Sequence, residues 1–378
     1  MMKSLVFLFA CFLMFLGSCQ PRGTNSEVVI GSAISLTGQE GAGVYGENIR
    51  NSMELAISEI NAKGGTHGKL IRVVYEDTQL QPQVAVSAVN KLINVDKVKV
   101  IVGAVSSGET LAVAPICERN KVVLISPAST SHEISNSGDY IFRTIAPDTL
   151  EGNAMAKFAL QSGYKTAAAV FVDNAGTKGP AEVFKQAFET AGGKMVAMEV
   201  GPQGSTDFRT QLAKVKAASP DAVYLLGYAL ELGNMLKQSK ELGIQKPLLS
   251  FQVMEEPKVV EIAGNAANSV IFTSPTIRAS EAQGRTKQFI DAYRQRYKKD
   301  PGIFSYNAYD AVYVIAKAIE RYGEDAESIK KGLYEIQNYD GASGQISFDR
   351  NGDTAQPPKL LTYQNGQIVV FQPQFAQR

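Results

Sequence analysis

Histidine is almost absent from this chain, with only His67 and His132 among 378 residues. Neither has a nucleophile or a set of metal ligands at the spacing that catalysis or zinc binding requires. His67 reads as a surface turn residue beside glycines, and His132 reaches at most the rim of a cleft. A phosphate-cradling P-loop and a dinucleotide glycine fingerprint are missing too, so an enzyme is not expected and no cofactor is implied. An excess of one charge is also lacking: 38 basic residues stand against 37 acidic ones, with no basic stripe. A nucleic-acid binder draws most of its affinity from phosphate contacts and carries such an excess. Cysteine is scarce, at three residues, and long apolar runs are short of a membrane span, which needs about 20 residues.

The longest apolar run, Leu5 to Leu16, follows Lys3 and reads as the core of an export signal over residues 1–18. It ends in Leu16-Gly17-Ser18-Cys19, which resembles the cleavage and lipidation box of bacterial lipoproteins. Cys19 is then expected to carry lipid, and acyl chains contribute ~0.8 kcal/mol per buried CH₂ to holding a protein at a membrane. Residues 19–26 form a polar tether. Cys117 is left alone in the folded body, beside the apolar stretch Leu111 to Ile116, and reads as a small buried hydrophobe. The roughly 350 residues that follow exceed what one core supports, so two lobes are expected.

Strand-like and helical patterns alternate in two rounds, predicting an α/β protein with two doubly wound parallel sheets. The first round runs from Val28 to Ile34 through helices at 49–60, 82–93 and 110–119 to Val122 to Ile125. After Pro147 it begins afresh: helix 150–161, strand Ala167 to Val172, helix 181–191, strand Met195 to Val200, helix 208–217 and strand Ala222 to Leu226. Helix 232–242 and strands at 247–250 and 270–273 close that round. Two helices, 281–297 and 305–322, and three short strands near 345–348, 360–363 and 368–371 remain, and these strands are expected to complete the two sheets.

Three segments together resemble the leucine/isoleucine/valine-binding family of periplasmic receptors. They are Ser35-Leu36-Thr37-Gly38 with Tyr45-Gly46 and Glu59 to Gly65; Val102-Gly103 through Ser106-Ser107 with Ser126 to Thr130; and Gly344 to Asp349 with Asn351-Gly352-Asp353. The resemblance implies a type I periplasmic-binding fold whose lobes, 27–145 plus 276–343 and 146–275 plus 344–378, are joined by a three-strand hinge. It further implies an ABC importer's substrate-binding protein, exported to the periplasm or cell surface, with a membrane permease as partner. The expected ligand is a branched-chain amino acid or a related small carboxylate or amide, held in the interlobe cleft by hinge closure.

Ligands of open parallel sheets sit beyond the carboxyl ends of the strands. The loops holding Ser106 and Ser107, and Ala128, Ser129 and Thr130, follow predicted strands at that edge, where N–H groups and hydroxyls suit an anion. Read alone, such serines and threonines are helix caps. The resemblance assigns Ser107 and Thr130 to a ligand carboxylate and the Ala128 carbonyl to an ammonium, and it makes Tyr45, Tyr228 and Phe304 aromatic walls. Two departures stand out. Asp173 to Gly179, with Asp173 and Thr177 as candidate contacts, replaces a tyrosine-glycine pair, and Gln252 stands where amino-acid binders place a carboxylate. Either Asp173, Glu255 or Glu256 supplies that charge or the ligand lacks an ammonium. Glu255 and Glu256 read otherwise as a solvated acidic turn. The competing function is a lipoprotein of the same fold that senses a ligand or docks on a cell-wall synthase.

Overall fold

The computed structural model describes residues 27–38, 42–275, 281–364 and 366–373. The export segment and Cys19 lie outside the described residues, as do residues 276–280, which begin where the second expected crossing, near 273–276, ends.

The first half alternates as the apolar pattern requires: β1 (Val28–Ile34), α1 (Ala42–Ala62), β2 (Ile71–Asp77), α2 (Pro82–Asn94), β3 (Val100–Gly103), α3 (Ser107–Asn120), β4 (Val123–Ser126) and β5 (Ile141–Arg143). All five strands are parallel, in the order β2-β1-β3-β4-β5. Every residue of β3 and β4 is buried, because helices cover both faces of the sheet. Cys117 is buried at the end of α3, and burial pushes its thiol up to about 12. His67 is exposed in a turn.

The second half contains α4 (Asp148–Gln161), β6 (Thr166–Val172), α5 (Ala175–Thr190), β7 (Lys194–Gly201), α6 (Arg209–Ala218), β8 (Ala222–Leu226), α7 (Ala229–Glu241), β9 (Leu248–Ser250), α8 (Pro257–Ala263) and β10 (Ile271–Ser274). Three further helices, α9 (Gly284–Tyr297), α10 (Ser305–Tyr322) and α11 (Ala326–Tyr334), pack back against the first half, with α9 and α10 on α1 and α11 on α10 and β4. The chain ends with β11 (Tyr339–Gly341), β12 (Gly344–Ile346), β13 (Lys359–Gln364) and β14 (Gln367–Val370). The second sheet runs β14-β13-β10-β9-β8-β6-β7. It is parallel except at one edge, where β13 and β14 pair antiparallel.

Three differences from the sequence reading have local causes. The strand expected at 345–348 joins neither large sheet and instead forms a two-stranded ribbon of β11 and β12. Helix α5 begins six residues early, because the Asn174 side chain accepts the N–H of Thr177 and caps it. Gly176, Gly179 and Pro180, which look like breakers in sequence, lie inside that helix. The unpredicted α11 is short and amphipathic, and opens on Asp325, whose carboxylate accepts the Ser328 N–H at 3.0 Å.

The first crossing between the sheets, after β5, is tied down on both sides. The Thr144 hydroxyl donates to the Asn307 carbonyl at 2.8 Å, and the Asn307 amide donates back to the Thr144 carbonyl at 2.5 Å. Arg143, fully buried, donates from Nε to Asp353 at 2.5 Å. Asp353 lies on the passage between β12 and β13, so this ion pair pins one crossing to another.

Candidate functional site

The ends of β3, β4, β8 and β9 turn toward one another across the gap between the sheets, and the loops that follow them wall a small chamber. From the first sheet come Ser106, Ser107, Ala128 and Thr130, joined by Tyr45 and Phe304. Facing them are Gly176, Tyr228 and Gln252. Eight of the eleven residues singled out as ligand contacts therefore meet at one place. The chamber measures only about 20 Å³. That is room for about one water molecule. On the other side of Tyr45 and Tyr228 lies an outer cavity of about 240 Å³, lined by the 79–82 loop, Gln203 and Glu231.

Tyr45 closes the chamber because α1 lies close against the end of β1. Its hydroxyl accepts the N–H of Ala229, the first residue of α7, at 3.0 Å, bridging the two sheets. Its ring centroid lies 6.1 Å from that of Tyr228 and 5.7 Å from that of Phe304, distances at which edge-to-face aromatic contacts are favourable. Burial, with Glu256 nearby, raises the Tyr45 phenol well above its ordinary range. It stays neutral and serves as a hydrogen-bonding wall.

The serine loops are more internally bonded than their sequence suggests. Ser106 caps α3: its hydroxyl accepts the Glu109 N–H at 3.2 Å, and the Glu109 carboxylate takes the Ser106 N–H and hydroxyl at 2.8 Å each. This is a reciprocal capping box, and burial pushes the Glu109 carboxyl up. Ser107 ties the two loops together, its Oγ accepting the Ser131 N–H at 3.1 Å. Thr130 lines the chamber while its carbonyl accepts the Asp148 N–H at 2.7 Å.

Three of the singled-out residues lie elsewhere. Ser129 is fully buried and turns its hydroxyl away to Thr110 Oγ1 at 2.7 Å, because that loop must satisfy its own polar atoms. Thr177 is also fully buried, donating to the Val172 carbonyl at 2.5 Å within the start of α5. Asp173 is exposed and outside the chamber wall. The expectation of a solvated acidic turn also fails for Glu256, which is 1 % exposed and accepts from Asn48 Nδ2 at 3.2 Å. Glu255 is half-buried and borders a different groove. None of the three proposed counter-charges lines the chamber.

Gln252 is 3 % exposed, and its N–H donates to Glu151 at 3.3 Å. Glu151 also accepts from the Thr273 hydroxyl at 3.0 Å, yet burial outweighs these bonds and pushes its carboxyl up to about 8. Arg143 reaches the same region from beneath, donating to the Ser131 carbonyl at 2.8 Å and to Ser135 Oγ at 2.6 Å. Sequence reasoning missed Glu109, Glu151 and Arg143. A glutamate three residues after Ser106 was the one available signal, as a capping-box spacing. His132 sits at the edge, its Nδ1 3.2 Å from Asp148 across the first crossing.

The sequence model of one family, described as periplasmic binding protein, matches residues 27–366. The chain belongs to the periplasmic binding protein family. This periplasmic binding protein is 35% identical over 312 residues to a leucine-, isoleucine-, valine-, threonine-, and alanine-binding protein of Pseudomonas aeruginosa, covering 82% of this chain and 83% of the relative. Its fold matches a branched-chain amino acid transporter substrate-binding protein of Streptococcus pneumoniae, in complex with isoleucine. That match has a TM-score of 0.83 and 30% identity, over 91% of this chain and 98% of the other. A solute-binding protein of an ABC transporter from Rhodopseudomonas palustris, in complex with 3,4-dihydroxy benzoic acid, superposes with a TM-score of 0.81. It is 25% identical and covers 90% and 95% of the two chains. These relatives are binding proteins, and this periplasmic binding protein is a solute receptor of the same type.

Proposed function

We propose that this protein captures a small carboxylate, of the size of a branched-chain amino acid, outside the cytoplasm and delivers it to an ABC permease. The observation that carries this reading is the convergence of Ser107, Thr130 and Ala128 from one sheet with Tyr228 and Gln252 from the other on a single chamber. Ser107 and Thr130 offer hydroxyls beside the N-terminus of α3, where an anion is favoured. Tyr45, Tyr228 and Phe304 cover the apolar part of the ligand. Contacts made only when the lobes meet shift the population toward closure. Lipid at Cys19 would hold the receptor near its permease.

Isothermal titration against leucine, isoleucine, valine and their 2-oxo analogues tests this. At least one is expected to bind with micromolar affinity or better, about −8 kcal/mol at a micromolar constant. No heat from any of them would favour the docking or sensing alternative. Ser107→Ala and Thr130→Ala are each expected to weaken the tightest ligand by roughly 1–3 kcal/mol, the cost of a charged-group hydrogen bond left unmade. Unchanged constants in both variants would remove these loops from the site.

A second reading, a carboxylate without an ammonium, is favoured by Gln252. Among the described residues no carboxylate lines the chamber, and an ammonium buried without a counter-charge costs several kcal/mol. The 3,4-dihydroxy benzoic acid held by the Rhodopseudomonas palustris relative also carries no amine. Gln252→Glu is expected to improve leucine over its 2-oxo analogue by at least about tenfold, since charged hydrogen bonds contribute about 1.5–3 kcal/mol. A shift in the opposite direction would show that residue 252 does not face the α-carbon substituent.

A further inference from the structure

Glu256 precedes α8 in the second lobe, yet its side chain ends inside the first. Its Oε1 accepts from Asn48 Nδ2 on α1 at 3.2 Å. The backbone N–H of Ile303 also donates toward the same carboxyl. Gly302 lies so close to Asn48 that a Cβ there would fall 2.2 Å from Nδ2. The residue is 1 % exposed, and its Oε2 is buried with no hydrogen-bond partner. Once the lobes part, both Asn48 and the 302–304 segment withdraw and water reaches the carboxyl.

We infer that Glu256 is an interlobe latch, a positioning residue that favours the closed state when it carries a proton and opposes closure when ionised. An ionised carboxylate enclosed with only two neutral donors, the Asn48 amide and the Ile303 backbone, loses more hydration than it regains. A protonated carboxyl keeps the Asn48 bond and leaves no charge to bury. The inference rests on the capture reading for its purpose, since closure is what holds the ligand, but its test needs no ligand.

The neighbouring charges agree. Glu255, next in the chain, repels a second negative charge. Lys299 opposes that effect, but its ammonium is held by Glu47 of α1 at 2.6 Å. Tyr45, the other titratable group facing Glu256, stays neutral. Burial therefore dominates and pushes the closed-state carboxyl up to about 7 from the ordinary 4.5. A carboxyl raised on closing adds its full contribution below the open-state value, and that contribution is lost as pH rises through about 7. Between pH 7.5 and 5.5 the closed-to-open ratio should rise about 20-fold from this group. The Asp148 and His132 pair also straddles a crossing, so the response must be assigned by substitution.

Small-angle scattering of the ligand-free protein, titrated from pH 7.5 to 5.5, reads the closed fraction directly. The radius of gyration is expected to fall as pH falls in the wild type. In Glu256→Gln, a neutral side chain of the same shape, it should be already low and flat across that range. Asn48→Asp, which adds a second carboxyl to the pocket, should move the transition upward in pH. A wild-type radius that ignores pH, or a transition that persists unchanged in Glu256→Gln, overturns the latch. Silence across the amino-acid and 2-oxo-acid panel would instead overturn the capture reading and leave the scattering result to stand on its own.

Discussion

Arg143→Ala is expected to cost about 3–5 kcal/mol of stability, the penalty for removing one member of a buried ion pair and leaving the other unpaired. Arg143 is 0 % exposed and its partner Asp353 is 8 % exposed, so neither charge has water to fall back on. The effect should not stop at stability. The same guanidinium holds the Ser131 carbonyl and reaches that of Ser129, and so fixes the loop that carries Thr130 into the chamber. Urea denaturation should show the lower midpoint, and titration at a temperature where the variant is still folded should show weaker ligand binding. Arg143→Lys keeps the charge but loses the planar fork that serves four partners at once, and should fall between. A variant with wild-type midpoint and affinity would mean that Arg143 neither pins the crossings nor shapes the site.

Gly46→Ala should be comparably damaging although it adds one methyl group. A Cβ at Gly46 would lie 1.9 Å from the Ser35 carbonyl oxygen and 2.5 Å from its carbon. Both are backbone atoms, so no side chain can rotate out of the way and α1 must lift off the end of β1. Overpacking of this kind costs about 3 kcal/mol or more. Tyr45 is the preceding residue, so lifting α1 also draws its hydroxyl away from Ala229 and its ring away from Tyr228 and Phe304. Thermal melts and ligand titration should therefore both worsen. Gly64 is the control: it has a φ of +99°, but a Cβ there would meet nothing within 4 Å. Gly64→Ala should therefore cost only about 1 kcal/mol of backbone strain and spare binding. Equal effects at the two glycines would show that the close approach at Gly46 carries no special weight.

Much of the chamber's lining could be read from the chain because its residue types and its strand ends coincide. Ser106, Ser107, Ala128 and Thr130 follow short, continuous apolar runs, and such runs announce buried parallel strands whose carboxyl ends bind ligands. Tyr45, Tyr228 and Phe304 rest on family likeness, and their rings do cluster. The misses share a cause. Ser129 and Thr177 have the right chemistry in the right loops, but hydroxyl direction depends on which carbonyls stand nearby. Glu256 looks like a surface acid because its burial comes from α1 and residue 302, more than forty residues away along the chain. Gly176 and Gly179 look like turn residues, whereas in α5 they leave room for Tyr228 and Asp148.

Local pattern determined the order of strands and helices, the parallel sheets and the loops that could face a ligand, since periodicity and punctuation act over a few residues. Tertiary structure alone decided which hydroxyls reach the chamber, which acids are buried and which charges pin the crossings. Those outcomes depend on contacts such as Arg143 with Asp353, Tyr45 with Ala229 and Asn48 with Glu256. Each joins residues some two hundred positions apart, and dehydration and hydrogen-bond geometry at such a contact exist only once the two lobes have met.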